Sequence, residues 1–240
     1  MDAKKTFLGS EKWVMTHFAS LFNQFADPNI VLDPQDSISY QIASASYESE
    51  DKRPAVIDGY QLEHLGSDET KACVYVSHEK KHVIIGYRGT DAANISDLQS
   101  DVEILLGVSG LDQRVEISLQ IYDLARRKYP EYTKWITGHS LGGTIAYIVA
   151  KHREPDRCTV FNPGSSVNSL FIQMLTDTVS KAPWTTHVMT YKILGDIISS
   201  FSFIGATKVF RVTSMNPLNI HALVNFQPTP PATPLSAMGH

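Results

Sequence analysis

The sequence has few of the features that mark several common protein classes. It contains only two cysteines, Cys73 and Cys158, which lie far apart in apolar, strand-like segments, and no C-x-x-C pair occurs. Neither a disulfide framework nor a cysteine-based metal site is therefore expected. We interpret the cysteines as buried free thiols, which fits a reducing, intracellular setting.

Long apolar runs and charge concentrated on one side are also lacking. No stretch approaches the length needed to cross a bilayer, so no transmembrane segment is expected. Residues 1–7 lack the apolar core and small-residue cleavage site of a signal peptide, which predicts a cytoplasmic or otherwise intracellular protein. The formal net charge of -4 is spread along the chain without a basic stripe, so no nucleic-acid partner is expected.

The length and composition predict one globular domain. The 240 residues are enough for a sizeable α/β domain with a full core, and too few for two such domains. The end of the chain carries four closely spaced prolines, Pro228, Pro230, Pro231 and Pro234. We therefore expect a single domain over residues 1–226 and a proline-rich, flexible tail over 227–240.

The order of the predicted strands and helices indicates the fold class. Strand-like and helical segments alternate between residues 72 and 193, which predicts a mostly parallel central sheet with helices on both faces. The clearest segments are a hairpin over 72–77 and 82–88, an amphipathic helix over 111–128, and a helix over 37–47 capped by Asp36 or Ser37.

The most informative stretch is Gly138-His139-Ser140-Leu141-Gly142, which contains the G-x-S-x-G pattern of a nucleophile elbow. In this turn a serine lies between a buried strand and a helix, and glycines on either side let the two elements approach closely. An apolar run precedes the pattern, and small and aliphatic residues follow it at 142–150. This context favours an elbow over a glycine-rich loop with a structural serine.

A serine needs a base to take its proton, and a third group must orient that base. In parallel sheets such groups lie beyond the carboxyl ends of the strands. Asp196 follows a predicted strand ending at Leu194, and His221 lies in a loop after the strand predicted over 208–213. The order Ser140, Asp196, His221 is that of an α/β-hydrolase. Asp196 as a simple turn residue and His221 as a packed histidine remain alternatives.

Other acids and bases are less favourably placed. Asp177 falls in a predicted helix, and Asp156 falls in a loop before its strand. His187 precedes its strand, at the opposite end of the sheet, and His152 lies late in the helix after the elbow. His139 adjoins the serine, and we expect it to support the turn rather than to act as the base.

Acyl transfer also needs hydrogen-bond donors for the oxyanion of the tetrahedral intermediate. The backbone N–H of Leu141 is one candidate, because it follows the nucleophile directly. Thr90, just beyond the strand ending at Tyr87, is the second candidate through its N–H and its hydroxyl. An ordinary turn at residues 88–90 is the alternative.

Three segments of the sequence together resemble those of the class 3 lipases, the fungal-type triacylglycerol lipases of the α/β-hydrolase fold. They are Tyr87-Arg88-Gly89-Thr90, Ser96-Asp97-Leu98-Gln99-Ser100-Asp101-Val102 and Gly138-His139-Ser140-Leu141-Gly142-Gly143. The resemblance spans residues 38–226. It implies an α/β-hydrolase in which the roles fall on Thr90 and Leu141 as oxyanion donors, Ser140 as nucleophile, Asp196 as acid and His221 as base.

Two segments depart from the pattern of that family. After a predicted strand, this chain has Asn162-Pro163-Gly164-Ser165 where secreted fungal members show G-x-P-R-x-G, and residues 197–219 also differ from the usual D-x-V-P-x-L-P segment. The lid of the family, a short helix over the site, falls on residues 91–98, where Ile95 and Leu98 offer apolar area.

These observations predict a serine hydrolase of lipid carboxylic esters. The expected substrate is a triacylglycerol or another acylglycerol, with transient contact to a lipid interface, and no metal or organic cofactor is expected. Two alternatives stay open. One is a phospholipase or short-chain esterase of the same family, and the other is a non-catalytic α/β-hydrolase relative that acts as a binding protein.

Overall fold

The computed structural model describes residues 31–65, 71–90, 111–164, 186–194, 196, 206–210 and 220–227. Several predictions lie outside these residues, including those for the lid residues Ile95 and Leu98, for the acid rival Asp177 and for the tail after Gln227.

The described helices are α1 (Pro34–Ala45), α2 (Leu111–Lys128) and α3 (Leu141–Arg153), with 3₁₀ helices at Glu50–Lys52 and Leu223–Phe226. The described strands are β1 (Val56–Ile57), β2 (Tyr60–Glu63), β3 (Ala72–Ser77), β4 (His82–Tyr87), β5 (Thr133–His139), β6 (Arg157–Phe161), β7 (His187–Ile193) and β8 (Ala206–Phe210).

These strands form one eight-stranded sheet in which their order in space follows their order in the chain. The strands β1 to β4 pair as an antiparallel meander, and the pairings from β4 to β8 are parallel. The hairpin predicted over 72–77 and 82–88 is confirmed, since β3 and β4 pair antiparallel with Ala72 opposite Tyr87. The predicted mostly parallel α/β sheet is therefore confirmed.

Helices pack on both faces of the sheet, because successive strand residues point to opposite sides. In β4, Ile85 joins a core cluster with Ile121 of α2 and Ile145 of α3. The preceding residue, Ile84, joins another cluster with Ile42 of α1. The two helices α2 and α3 therefore cover one face, and α1 covers the other.

The helix α1 begins earlier than the sequence predicts. Its first residue is Pro34, so Asp33 occupies the N-cap position, and the predicted caps Asp36 and Ser37 lie inside the helix. Proline is well tolerated at the first helical position, where its missing N–H has no partner in any case. The prediction of Asp36 or Ser37 as the cap is wrong because the Asp36 carboxylate turns inward to Arg157 instead.

The Asp36 carboxylate fixes α1 against the sheet. Its side chain is fully buried and accepts two hydrogen bonds from the Arg157 guanidinium, at 2.7 and 2.8 Å. The hydroxyls of Thr159 and Tyr191 each donate to the same carboxylate at 2.8 Å. A buried charge is stable only when it is paired and hydrogen-bonded, and these contacts meet that condition.

The carboxyl ends of four parallel strands meet at one edge of the sheet. In the register, Tyr87 of β4 lies opposite Gly138 of β5, and His139 of β5 lies opposite Phe161 of β6. Phe161 in turn lies opposite Tyr191 of β7. The segments predicted to carry Thr90, Ser140 and Asp196 therefore leave the sheet at the same edge.

Candidate active site

Ser140 occupies the turn between β5 and α3. Its backbone has φ 56° and ψ -129°, a conformation that non-glycine residues rarely adopt, and it stands at the N-cap of α3. Strained backbone of this kind persists where the surrounding structure enforces it, often at functional sites. The strand–turn–helix context required for a nucleophile elbow is therefore present.

Close contacts explain the two glycines of the G-x-S-x-G pattern. A β-carbon at Gly142 would lie 2.1 Å from the carbonyl oxygen of Tyr87. A β-carbon at Gly138 would lie 2.4 Å from the backbone of Gly142. Both distances are too short for any side chain, so strand β5, helix α3 and the end of β4 can approach this closely only through glycine.

Backbone hydrogen bonds hold the elbow on both sides. The Ser140 N–H donates to the carbonyl of Phe161 at 3.2 Å. The Ser140 carbonyl accepts from the N–H groups of Gly143 at 2.9 Å, Thr144 at 3.2 Å and Gly164 at 3.0 Å. The Thr144 hydroxyl donates back to the Gly164 carbonyl at 2.7 Å. The loop after β6 is thereby tied to the turn that carries the serine.

The Asp196 and His221 side chains meet in the interior. Nδ1 of His221 lies 2.8 Å from Oδ2 of Asp196, and the two residues are 6% and 3% exposed. A carboxylate can only accept, so Nδ1 carries the proton that points to Asp196, and in this tautomer Nε2 is the acceptor nitrogen. Nε2 is buried, and it has no hydrogen-bond partner within the described part of the chain.

The His221 ring lies beside the elbow. The centroids of the His139 and His221 rings are 4.8 Å apart, and His139 is the residue directly before Ser140. Residues 140, 196 and 221, which sequence reasoning selected from distant parts of the chain, therefore gather at one edge of the sheet. The roles of these residues in catalysis stay a prediction.

Both oxyanion candidates, Thr90 and Leu141, lie in segments that adjoin this turn. A β-carbon at Gly89 would lie 2.6 Å from the His139 carbonyl oxygen and 3.3 Å from Cβ of Ser140, so the chain leading into Thr90 passes directly against the elbow. The guanidinium of Arg114 on α2 donates to the Arg88 carbonyl. Leu141 opens α3 immediately after Ser140.

Burial dominates the electrostatics of this region. Desolvation lowers the pKa of His139 to about 3, and the neighbouring His221 acts in the same direction. Desolvation also lowers the pKa of Lys192 on β7 to about 8, while the Asp196 carboxylate opposes that shift. Burial likewise lowers the pKa of Arg114. The site is a low-dielectric environment in which fixed dipoles interact strongly.

Comparison with protein families identifies the chain. The model of the phospholipase-like family described as the Tle-like phospholipase domain matches residues 36–219, which is most of the sequence. The chain belongs to the Tle-like phospholipase family. The matched range includes Thr90, Ser140 and Asp196 and ends two residues before His221. Membership in this family confirms the prediction of a lipid-ester hydrolase at the level of enzyme class.

Solved structures confirm the fold. The chain is similar to Lip2 lipase from Yarrowia lipolytica, with a TM-score of 0.51, 16% identity, and coverage of 74% of this chain and 80% of that one. A nonglycosylated form of the same lipase gives a TM-score of 0.51 and 16% identity, covering 79% of this chain and 84% of that one. No curated protein matches the chain. The predicted resemblance to fungal-type lipases of the α/β-hydrolase fold is therefore confirmed.

Within the residues that the structure describes, no helix is long and apolar enough to cross a membrane. The same residues contain no group of three or more histidine, cysteine, aspartate or glutamate side chains that could hold a metal ion.

The three rival acids and bases that the structure describes, Asp156, His152 and His187, lie toward the other edge of the sheet. His187 is the first residue of β7, and its Nδ1 contacts the Arg157 guanidinium at 2.9 Å. Asp156 precedes β6 and accepts a hydrogen bond from the Lys134 N–H at 2.7 Å. His152 lies in the last turn of α3. These positions agree with the sequence-based reasons for setting them aside.

Sequence reasoning missed two residues that lie at the site. The Tyr47 hydroxyl contacts Nδ1 of His139 at 2.8 Å, although the residues are 92 positions apart. The Asn162 amide donates to the His221 carbonyl at 3.0 Å. Asp196 was selected because it is a polar residue just beyond the carboxyl end of a parallel strand. Asn162 directly follows β6, so this criterion could have selected it too. Tyr47 follows a helix, and no such criterion applies to it.

Acidification is expected to lower the free energy of unfolding. Burial lowers the pKa of His82 to about 4 and that of His139 to about 3, both from an ordinary value of 6.5. Between these values and 6.5 the unfolded chain binds protons that the folded chain does not, so stability rises with pH. Each histidine contributes about 1.4 kcal/mol per pH unit inside its window. Urea unfolding between pH 4 and 8 measures this slope.

The His82→Asn variant isolates one contribution. Asparagine does not titrate, yet its amide oxygen can still accept from the Tyr60 hydroxyl, which lies 2.7 Å from Nδ1 of His82. The slope between pH 6.5 and 4 is expected to fall by about 1.4 kcal/mol per pH unit. An unchanged slope in this variant would show that His82 is not held neutral by burial.

Proposed function

We propose that this protein hydrolyses carboxylic esters of lipids with a Ser140–His221–Asp196 triad. One observation carries the proposal. The Asp196-bound imidazole of His221 leaves Nε2 buried and without a partner among the described residues, beside the turn that carries Ser140. Nε2 is the atom that must take the serine proton.

The first half of the reaction forms an acyl-enzyme. The Ser140 oxygen attacks the ester carbonyl carbon while its proton passes to Nε2 of His221, and the Asp196 carboxylate stabilises the imidazolium. The carbonyl oxygen becomes an oxyanion, which the N–H groups of Leu141 and Thr90 bind. The tetrahedral intermediate then expels the alcohol, which receives the proton from His221.

The second half releases the acid. A water molecule attacks the acyl-serine carbonyl and gives its proton to His221, and the same donors bind the new oxyanion. Collapse of this intermediate breaks the bond to Ser140, whose oxygen regains the proton from His221. The products are a fatty acid and an alcohol, and the enzyme returns to its starting state.

The family model and the lipase-like motifs favour different substrate classes. The name of the matching family model favours the acyl esters of phospholipids, whereas triacylglycerol is the substrate class indicated by the motifs that resemble class 3 lipases. The two substrates contain the same reacting ester and differ in the neighbouring group, a charged headgroup or a third acyl chain. We propose phospholipid as the preferred substrate and acylglycerol as the second candidate.

A hydrolysis profile tests this proposal. We expect the protein to release fatty acid from phosphatidylcholine or phosphatidylglycerol vesicles faster than from emulsified triolein, with p-nitrophenyl butyrate as a soluble reference. The Ser140→Ala protein serves as the blank for each substrate. Faster hydrolysis of triolein would favour the triacylglycerol lipase, and a folded protein that hydrolyses no ester would favour the binding-protein alternative.

The cellular setting stays a prediction. We propose a reducing, intracellular environment, and the state of the cysteines supports it, since Cys73 and Cys158 are both free and buried. Burial raises the pKa of the Cys73 thiol to about 12, which keeps it protonated and inert.

A further inference from the structure

The backbone carbonyl of His221 is held by two side chains. It accepts from Nε2 of His139 at 2.8 Å and from Nδ2 of Asn162 at 3.0 Å. A carbonyl oxygen has two lone pairs, and these donors can occupy both of them. We propose that His139 and Asn162 are positioning residues that fix the backbone of His221 and, through it, the catalytic imidazole; this inference rests on the proposed function.

The hydrogen bonds determine the tautomer of His139. A carbonyl only accepts, so Nε2 of His139 carries the proton, and Nδ1 of the neutral ring is an acceptor. The Tyr47 hydroxyl, 2.8 Å from Nδ1, therefore donates to it. Because burial lowers the pKa of His139 to about 3, the ring stays neutral and this arrangement persists at neutral pH.

The contacts of Asn162 determine the orientation of its amide. Its Oδ1 accepts from the Ile193 N–H at 2.8 Å, and its Nδ2 donates to the His221 carbonyl. Its own backbone N–H donates to the Tyr191 carbonyl at 2.8 Å. Asn162 adopts φ 39°, which asparagine tolerates better than most residues. The Asn162 side chain thus connects the end of β6 with the end of β7 and with the segment that carries His221.

These contacts cross-link the three segments that carry the proposed triad. His139 is joined to Ser140 by a peptide bond, and the Asp196 N–H donates to the carbonyl of Ile193 at 3.2 Å. His221 is therefore restrained at two places. Asp196 holds Nδ1 of its imidazole, and His139 and Asn162 hold its backbone carbonyl. A displacement of about 1 Å in a reacting group can cost about 100-fold in rate, so loss of one restraint should be visible in kcat.

A matched pair at position 139 tests the inference. The His139→Met variant keeps a side chain of similar size but cannot donate, and we expect kcat on p-nitrophenyl butyrate to fall by about 10- to 100-fold with little change in KM. The His139→Gln variant restores an N–H donor, and we expect it to recover most of the lost kcat. Rates are normalised to the folded fraction, measured by near-UV circular dichroism.

If His139→Met fails to fold, variants at Asn162 and Tyr47 test the positioning role instead. Asn162→Asp keeps an acceptor for the Ile193 N–H but loses the donor, and Tyr47→Phe removes only the hydroxyl; both should lower kcat more than they change KM. The control Tyr60→Phe removes a similar tyrosine–histidine contact, to His82 at the far end of β4, and should leave kcat unchanged.

The outcomes separate this inference from the proposed function. The positioning role alone would be overturned if the Ser140→Ala protein were inactive but three folded variants kept the wild-type kcat. These variants are His139→Met, Asn162→Asp and Tyr47→Phe. Equal losses in His139→Met and His139→Gln would also overturn it, because the donor would then not matter. An active Ser140→Ala protein would overturn the proposed function itself.

Discussion

The Ser140→Ala variant is expected to lose on the order of 10⁶-fold in kcat for ester hydrolysis while it keeps the wild-type fold. The substitution removes only the oxygen that would form the acyl-enzyme. It leaves intact the backbone hydrogen bonds that hold the turn. These run from the Ser140 N–H to the Phe161 carbonyl and from three N–H groups to the Ser140 carbonyl. Initial rates on p-nitrophenyl butyrate and near-UV circular dichroism measure the two effects.

A serine at the opposite edge of the sheet supplies the control. Ser77 lies opposite His82 at the start of β4, and its hydroxyl accepts from the Lys80 N–H at 3.4 Å. The Ser77→Ala variant is expected to retain wild-type kcat. A Ser140→Ala protein that kept a substantial part of the wild-type rate would rule out Ser140 as the nucleophile.

Loss of the base or of its orienting acid should give the second largest effects. We expect His221→Ala to lose on the order of 10⁶-fold in kcat, because no other group would take the serine proton. Asp196→Asn should lose about 10⁴-fold, since an amide N–H facing Nδ1 would favour the wrong tautomer of His221. Single-turnover rates with p-nitrophenyl butyrate measure these losses.

The rival residues are the matched controls for these variants. His187 and Asp156 lie at the amino ends of their strands, where they contact Arg157 and Lys134. The His187→Ala and Asp156→Asn proteins are expected to keep wild-type kcat in their folded fractions. If one of them lost activity while the matching variant at 221 or 196 kept it, the assignment of the base or acid would be wrong.

The parts of the fold that depend on local sequence are predictable. The elbow could be predicted because Gly138 and Gly142 are required by contacts within a short stretch of chain and with the adjacent strand. The β3–β4 hairpin and the helix α2 follow from apolar patterns of period two and 3.6, which act within one element. The parallel order then follows from the alternation of strands and helices.

The features that the sequence did not indicate depend on partners far along the chain. Asp36 was a reasonable cap by local criteria, but its carboxylate is bound by Arg157, 121 residues away. The contacts of Tyr47 with His139 and of Asn162 with His221 span 92 and 59 residues. Local patterns do not carry such pairings, and they arise only when the sheet brings the carboxyl ends of β5, β6 and β7 together.

The most direct test of the account is to label the protein with a fluorophosphonate and to map the adduct by mass spectrometry. This reagent reacts with a serine only when an adjacent base and oxyanion donors activate it. We predict one adduct, on the peptide that contains Ser140, and none in the His221→Ala protein. An adduct on another serine, or labelling of Ser140 that persists at the wild-type rate without His221, would contradict the proposed triad.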